Sequence, residues 1–309
     1  MSRRFRPFEA LRSLYGRVPG IRELRNLNPA VRELREISRA LVKIGADQSK
    51  ALQLQAEAYE EALLRNARYD GPRNLARFQR QVFSQFGQDG MLAEIFRRIG
   101  EGSRTFAEIG IGNGLENNTV YLLFQGWKGF WIDADHEGMG LVEKRFRPAL
   151  DEGRLKVRES FVTAENVADT FRSLEIPVEC DLLSLDVDRN TYWVWKALRE
   201  YRPRVAVIEY NGHFPPEIDW KVEYRAEAFW RGTLYFGASL KALESLGADL
   251  GYRLVGCTLS GVDAFFIRAD LCGDKFEGPF SAEKHYEPFR QFLERKRGHR
   301  RCVDDRFDE

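Results

Sequence analysis

The sequence of 309 residues lacks several features that would place it in a specialised class. Its four cysteines are scattered, with no C-x-x-C pair and no cysteine–histidine ligand spacing. We therefore expect neither a disulfide framework nor a structural zinc site, and a reducing cytosol fits. No run of about 18 apolar residues is present, so we predict no membrane-spanning helix. The arginine-rich start has no apolar stretch of the kind a secretory signal carries, so we expect no such signal. The net charge of +1 gives no reason to expect a nucleic-acid partner.

The first 72 residues differ from the rest and are predicted to form a basic helical segment. Apolar residues occupy heptad positions at Leu24, Leu27, Val31, Leu34 and Leu41, the shortest stretch for which a coiled coil is worth considering. We predict a long helix, or a pair of helices, that forms a homo-oligomer or packs on the body of the protein. The arginines also suit peripheral contact with the inner face of the membrane, and a solvated helix face is the alternative.

From residue 73 onward, short apolar runs alternate with helical stretches. The runs lie at 105–110, 128–133, 155–158, 180–186 and 204–210, and the helical patterns lie near 116–125, 138–149, 164–173 and 191–200. This alternation predicts an α/β fold with a mainly parallel sheet covered by helices on both faces. Two further runs joined by a short turn predict an antiparallel hairpin at the sheet edge. We predict a domain over 73–281 with strand order 3-2-1-4-5-7-6 and the last strand antiparallel, followed by a C-terminal helix and charged tail over 282–309.

The first predicted strand runs into the glycine turn Gly110-Ile111-Gly112-Asn113-Gly114. In open α/β sheets, ligands bind beyond the carboxyl ends of the strands, where the strand order reverses. A dinucleotide site needs the spacing G-x-G-x-x-G, but Leu115 stands where the third glycine would be, which argues against an NAD-dependent dehydrogenase. With Glu108, the pattern is E-x-G-x-G-x-G. That spacing suits S-adenosylmethionine (SAM), a cofactor that has no phosphate to be held.

Further residues are candidates for binding the rest of this cofactor. Asp133 ends the second strand run, where an acid can accept both ribose hydroxyls, and the alternative is a turn or helix-cap role. Ser160 and Phe161 follow the third run and would lie beside the adenine, although Phe161 also fits the core. The helix after the glycine turn is predicted to open with Glu116-Asn117-Asn118-Thr119. Within this cluster Asn118 is a candidate for holding the methionine end, and simple helix capping is the alternative.

Candidate catalytic residues follow the fourth and fifth strand runs. They are Asp186 and Asp188 after the fourth run, and Glu209, Asn211 and His213 after the fifth. Paired carboxylates raise one another's pKa, which suits a general base, and they also complement a positive sulfonium. His213 is the best single candidate for a base at neutral pH, and an exposed loop histidine is the alternative. A divalent metal such as Mg²⁺ on Asp186, Glu209 and Asn211 is a competing mechanism that we do not favour.

Several of these motifs, in this order, make the sequence resemble the FkbM-like branch of class I SAM-dependent methyltransferases over about residues 75–270. The segments that carry the resemblance are Ser84–Asp89, Glu108–Thr119, Gly126–Asp133, Leu185–Asp188, Ile208–Asn211, Tyr235–Ser239 and Ala264–Phe266. The resemblance implies the class I methyltransferase fold and SAM as cofactor. It also implies that the segment with Ser84 and Gln85 closes over that cofactor. Family members typically methylate hydroxyl oxygens, often on sugars of cell-surface glycans or on secondary metabolites.

The sequence departs from the family pattern at two positions, both predicted to lie near the acceptor. Arg189 stands where the family usually has glycine, and Asp263 stands where it usually has asparagine. The long aromatic-rich loop 212–234 is predicted to act as an acceptor lid. We therefore expect an O-methyltransferase acting on a sugar, a glycan precursor or another small molecule such as a natural product. The alternative from a different functional class is a non-enzymatic scaffold, which binds SAM without turnover and acts through its N-terminal helices.

Overall fold

The computed structural model describes residues 19–294, with side chains from residue 33 onward. The chain divides into two units between Gln55 and Ala56. In the first unit the structure describes part of helix α1 (Pro19–Leu64). Two of the predicted heptad residues, Leu34 and Leu41, are 65% and 63% exposed, and the other three side chains lie outside the described ones. Self-association through α1 therefore stays a prediction. Within residues 19–294, no helix combines length with the apolarity needed to cross a bilayer.

The second unit is built on a seven-stranded sheet in the order β3-β2-β1-β4-β5-β7-β6. Its strands are β1 (Thr105–Ile109), β2 (Lys128–Asp133), β3 (Leu155–Glu159), β4 (Leu182–Leu185), β5 (Val205–Glu209), β6 (Tyr252–Cys257) and β7 (Asp263–Arg268). The first five strands pair in parallel, and β7 runs antiparallel to both β5 and β6. The predicted strand order and single antiparallel strand are confirmed, and this is the class I methyltransferase fold.

Helices cover both faces of this sheet, so its central strands are buried on both sides. In chain order they are α2 (Gln88–Ile99), α3 (Val120–Phe124), α4 (His136–Arg145), α5 (Arg147–Asp151), α6 (Val167–Leu174), α7 (Thr191–Ala197), α8 (Leu240–Asp249), α9 (Ala269–Cys272) and α10 (Ala282–His285). Side chains alternate along β1: Ala107 and Ile109 join the cluster that contains Phe171 and Trp195. Phe106 joins the opposite cluster, with Met91 and Trp131 among its members.

The structure differs from the sequence prediction at three helices. Helix α3 begins at Val120 rather than near residue 116, because the preceding polar residues are engaged in side-chain bonds. The single helix predicted over 138–149 is two helices, broken at Phe146, with Pro148 in the first turn of the second. A proline fits there because the first-turn N–H groups have no helical partner. The predicted C-terminal helix is reduced to α10 and a 3-10 turn at Gln291–Leu293, and residues 295–309 lie outside the described part.

Candidate cofactor and active site

The glycine turn after β1 requires glycine at its first position. Gly110 has φ of +86°, and a Cβ there would lie 1.6 Å from the Asp186 carbonyl oxygen. Gly112 also has a positive φ, of +54°, but a Cβ there would meet nothing within 4 Å. The first glycine is therefore needed for the close approach of β1 and β4. The second keeps the space above the turn open, as a ligand that lies on the backbone requires.

Glu108, the acid ahead of the glycines, fixes the loop that follows them. Its carboxylate is buried and accepts hydrogen bonds from the Asn117 side chain (2.6 Å), the Asn118 backbone N–H (2.8 Å) and the Ser184 hydroxyl (3.1 Å). It also accepts both the backbone N–H and the hydroxyl of Thr119. Burial raises the pKa of Glu108, and these bonds oppose the rise. The predicted helix-capping role of this polar cluster is replaced by a buried network around one carboxylate.

Asp133 connects the end of β2 to the same turn. One carboxylate oxygen accepts the Gly112 backbone N–H at 2.8 Å, and the other accepts the Asp135 backbone N–H at 2.8 Å. An ionised carboxylate has about four acceptor sites, so both oxygens retain capacity for further donors. The helix-cap role belongs to Asp135, whose side chain accepts the Glu137 N–H at the start of α4. The two acids therefore have separate functions in the structure.

Two cavities meet at the glycine turn. The first, of about 290 Å³, is lined by Gln85, Gln88, Glu108, Gly110, Ile111, Gly112, Asn113, Glu116, Asn117, Asn118, Asp186, Val262 and Asp263. The second, of about 180 Å³, is lined by Ile109, Gly110, Asp133, Ala134, Ser160, Phe161, Val162, Asp186, Val187, Asp188, Asn190, Ala228, Phe229 and Trp230. Gly110 and Asp186 belong to both walls. We call them the loop-side and strand-side cavities.

Three carboxylates converge where the cavities meet. One carboxylate oxygen from each of Asp186, Asp188 and Glu209 lies within 4.8 Å of the others. The carboxyl groups of Asp186 and Glu209 lie close enough to share a proton. The cluster comes from the carboxyl ends of β4 and β5, which are neighbours in the sheet.

The surroundings hold the pKa values of this cluster high. Asp186 faces both cavities, yet desolvation by the surrounding protein raises its pKa to about 8, with help from the charges of Asp263 and Asp188. Desolvation also raises the pKa of Glu209, as does the charge of Asp186. The pKa of Asp188 is raised by desolvation and then by the charge of Asp133. A cluster of this kind retains a proton near neutral pH and favours any cation placed against it.

Asp263 adds a fourth carboxylate to this part of the wall, and it was not among the predicted site residues. It begins β7 opposite Glu209 and is 3% exposed. It accepts a hydrogen bond from the Gln88 side chain, which lines the same cavity. Burial raises its pKa to about 6 despite that bond. The sequence signal that marks Asp263 is its difference from the asparagine usual in the family that the sequence resembles.

Five predicted site residues do not line either cavity: Ser84, Gly114, Glu209, Asn211 and His213. Ser84 is fully buried and donates its hydroxyl to Asp89, which also accepts the backbone N–H groups of residues 82–84. The Asn211 side chain is used up by the backbone: it donates to the Leu234 and Phe236 carbonyls and accepts the His213 N–H. His213 itself is exposed, with its ring 4.5 Å from that of Phe289. The predicted metal set of Asp186, Glu209 and Asn211 is therefore not assembled, and Asp188 takes the third place instead.

The aromatic residues in and beside the loop predicted to act as an acceptor lid divide into two groups. Trp195 is buried in the core, the Trp193 indole donates to the Val222 carbonyl at 2.9 Å, and Trp220 stacks on Phe214 at 4.4 Å. Trp230 is 45% exposed and lines the strand-side cavity. Tyr235 is 46% exposed and lines a third cavity beside it. Part of the loop therefore packs under the helices, and part of it borders the cavities.

Comparisons with known proteins give similar structures but no similar sequences. No family model matches the chain, and no curated protein matches it. The N-terminal domain of EvdMO1, solved with S-adenosylhomocysteine (SAH) bound, aligns over 60% of this chain and 80% of its own, at 12% identity and a TM-score of 0.39. Spermidine synthase from Thermotoga maritima aligns over 68% and 69%, at 15% and 0.38.

A candidate SAM-dependent methyltransferase from Listeria monocytogenes aligns over 57% of this chain and 99% of its own, at 10% identity and a TM-score of 0.35. Because all three TM-scores lie below 0.5, the fold assignment rests on the strand order and connections described above. The function is argued from the geometry of the site.

Proposed function

We propose that the protein is a SAM-dependent O-methyltransferase whose acceptor is a hydroxyl on a sugar or glycan precursor. The observation that carries this proposal is the pair of cavities that meet at Gly110 and Asp186. One has the polar amide groups that an amino-acid end needs, and the other has the acid and aromatic groups that a nucleoside end needs. Carboxylates lie where the two ends would join, which is where SAM carries its positive sulfonium.

The loop-side cavity suits the methionine end of SAM. Asn117 lines it and is buried, and its side-chain Oδ1 has no hydrogen-bond partner in the described residues. A buried acceptor without a donor is costly, so a ligand ammonium group would satisfy it. Gln85 and the open backbone at Gly112 lie on the same wall. Glu108 is a positioning residue here, because its oxygens already hold the loop that carries Asn117 and Asn118.

The strand-side cavity suits the adenosine end. Asp133 keeps acceptor capacity for two ribose hydroxyls while its present bonds hold it against the glycine turn. Ser160 and Phe161 line the far side, and Phe161 is 45% exposed, which leaves its ring available for contact with a base. This placement favours the proposed role of Phe161 over its alternative as a core residue.

The carboxylate cluster accounts for the chemistry. SAM supplies a methyl group on a sulfonium, which the acceptor oxygen attacks in line while the carbon–sulfur bond breaks and its electron pair stays on sulfur. Asp186 lines both cavities and, once ionised, accepts the proton from the acceptor hydroxyl. Burial and the charges of Asp263 and Asp188 raise the pKa of Asp186 to about 8, and Asp188 places a second carboxylate beside the sulfonium. His213 and Asn211 have no part in this step.

Binding of SAH, measured by calorimetry, tests the cofactor assignment. We expect micromolar binding to the wild type and a loss of about 100-fold in Asp133→Ala, because two hydrogen bonds to a charged group are removed. Asp135→Ala is the matched control, since it removes an acid two residues away that only caps α4. Thermal unfolding of both variants checks that each is folded. If SAH does not bind to the wild type, the proposal is wrong. The hypothesis of a SAM-binding scaffold without turnover would then be wrong as well.

A methyl-transfer screen tests the acceptor. SAM with a labelled methyl group is offered with nucleotide sugars and polysaccharide in one set, and with small polyketides in the other. Transfer to the first set supports a sugar or glycan acceptor, and transfer to the second supports a natural-product methyltransferase. Tight SAH binding without transfer to any acceptor would favour a scaffold without turnover.

A further inference from the structure

A third cavity, of about 400 Å³, lies beside the strand-side cavity and is lined by three arginines. Its walls are Arg189, Arg225, Ala228, Phe229, Arg231, Thr233 and Tyr235. We call it the arginine cavity. Arg189 lies on the turn after β4, and the other residues belong to the loop between β5 and α8. Two parts of the chain that are distant in sequence therefore bring three guanidinium groups to one cavity.

The charges in the arginine cavity are only partly compensated. Arg225 forms an ion pair with Glu223 at 2.9 Å, and both side chains are largely exposed. The Arg189 guanidinium lies 5.0 Å from the centre of the Tyr235 ring, and its buried Nε has no hydrogen-bond partner. Arg231 lies 5.9 Å from the ring centre of Phe229. Across residues 33–294, no carboxylate forms an ion pair with Arg189 or Arg231, so two positive charges remain without a counter-charge.

This cavity is continuous with the proposed active site. Ala228 and Phe229 line both it and the strand-side cavity. Arg189 directly follows Asp188, a member of the carboxylate cluster. The Gly237 N–H donates to the Arg189 carbonyl at 3.2 Å, which joins the turn after β4 to the end of the loop. A molecule that fills the arginine cavity therefore reaches the place where a methyl acceptor must lie.

The number of uncompensated charges points to a dianion. The planar guanidinium fork pairs with phosphate or carboxylate through two parallel hydrogen bonds. One carboxylate would satisfy one of the two arginines and leave the other charge in the cavity. A phosphate ester or a diphosphate carries about two negative charges and has oxygens enough for both.

We propose that the arginine cavity binds the phosphate or diphosphate group of the methyl acceptor. The acceptor is then a phosphorylated hydroxyl compound, such as a sugar phosphate or a nucleotide-linked sugar. This inference rests on the proposed function and names the substrate class for the same site. Arg189 and Arg231 are the residues that select a phosphorylated acceptor. A glycine at position 189, which is usual in the family that the sequence resembles, has no side chain to bind the phosphate.

Calorimetric titration of the full chain with inorganic pyrophosphate tests the proposal. We expect saturable binding in the presence of excess SAH, weakening as sodium chloride is added. Arg189→Gln and Arg231→Gln should each weaken it about tenfold or more, since each removes a charge-assisted bond. Arg147→Gln is the control, because that exposed arginine pairs with Asp151 away from the cavity. Glucuronate, a sugar with one carboxylate, should bind more weakly than pyrophosphate.

The outcomes separate this inference from the proposed function. Loss of pyrophosphate binding with SAH binding and thermal unfolding unchanged supports the arginine cavity. No pyrophosphate binding to the wild type, or equal binding by both arginine variants, would overturn it. Stronger binding of glucuronate would overturn the choice of a dianion. The titration is repeated without SAH, so that pyrophosphate binding can be judged even if SAH does not bind. Failure of SAH to bind would count against the proposed function and not against the arginine cavity.

Discussion

Replacing Asp263 by asparagine should stabilise the protein at alkaline pH. The carboxylate is 3% exposed, and burial raises its pKa from 3.8 to about 6. A carboxyl whose pKa is higher in the folded state than in the unfolded state binds more protons when folded. Its ionisation therefore costs stability above pH 6, and the cost is relieved as pH falls from about 6 towards 3.8. Asparagine has nearly the same shape and can still accept the Gln88 hydrogen bond.

The size of the effect follows from the pKa shift of Asp263. A shift of about two units corresponds to about 3 kcal/mol at 1.36 kcal/mol per unit, and this is the expected gain at pH 8. At pH 5 the acid is mostly protonated in the folded state, and the same relation gives a gain of about 1.6 kcal/mol. For a unit of this size, about 3 kcal/mol raises the melting temperature by roughly 6–12 °C. The difference in unfolding free energy between Asp263→Asn and the wild type must therefore itself depend on pH.

Thermal unfolding of wild type and Asp263→Asn at pH 8 and pH 5 is the assay. Asp151→Asn serves as control, because Asp151 lies in an exposed ion pair on α5 and such pairs contribute about 0–1 kcal/mol. If Asp263→Asn is no more stable than the wild type at pH 8, burial of this carboxylate carries no cost and the reasoning is wrong. An equal gain at both pH values would also refute it, since a packing effect would not titrate.

Three further predictions concern the glycine turn, the sulfonium and helix α1. Gly110→Ala should fail to fold, because its Cβ would lie 1.6 Å from the Asp186 carbonyl oxygen. Gly112→Ala has open space around the Cβ, so it should fold at a cost of about 1–2 kcal/mol and bind SAH more weakly. Thermal unfolding and calorimetry distinguish the two variants. The preference for SAM over SAH should increase as pH rises towards 8, since ionised Asp186, with a pKa of about 8, favours the sulfonium; paired titrations that show no trend would contradict this. Leu34→Glu with Leu41→Glu should lower the solution mass if the exposed heptad pairs, and an unchanged mass by light scattering would exclude pairing through these positions.

The strand order could be predicted from the sequence because it depends on local patterns. Short β-rich runs separated by helical stretches restrict the topology to few choices, and the hairpin at residues 252–268 reverses the last strand. The glycine turn could also be recognised from its spacing, although the contact that requires glycine at position 110 is with the Asp186 carbonyl at the end of β4. Features that depend on one or two neighbouring residues were therefore predictable.

The residues of the site that were mistaken or missed depend on contacts between distant segments. Asn211 follows β5 as predicted, but the carbonyls of Leu234 and Phe236 occupy its amide, and no sequence pattern announces that. Asp263 reaches the cavity only because β7 pairs with β5. In each case the decisive partner lies on another element.

Asp188 and Arg189, two consecutive residues on the turn after β4, place opposite charges in neighbouring cavities. Asp188 has φ of +54°, a conformation that residues other than glycine rarely adopt. Through it, the turn directs Asp188 to the strand-side cavity and Arg189 to the arginine cavity. An acceptor with a hydroxyl at one end and a phosphate at the other can bind in only one orientation, because the reverse would set phosphate against carboxylates. If our proposals hold, Arg189 therefore fixes which hydroxyl meets the methyl group, and Arg189→Gln should broaden the position of methylation as well as weaken binding.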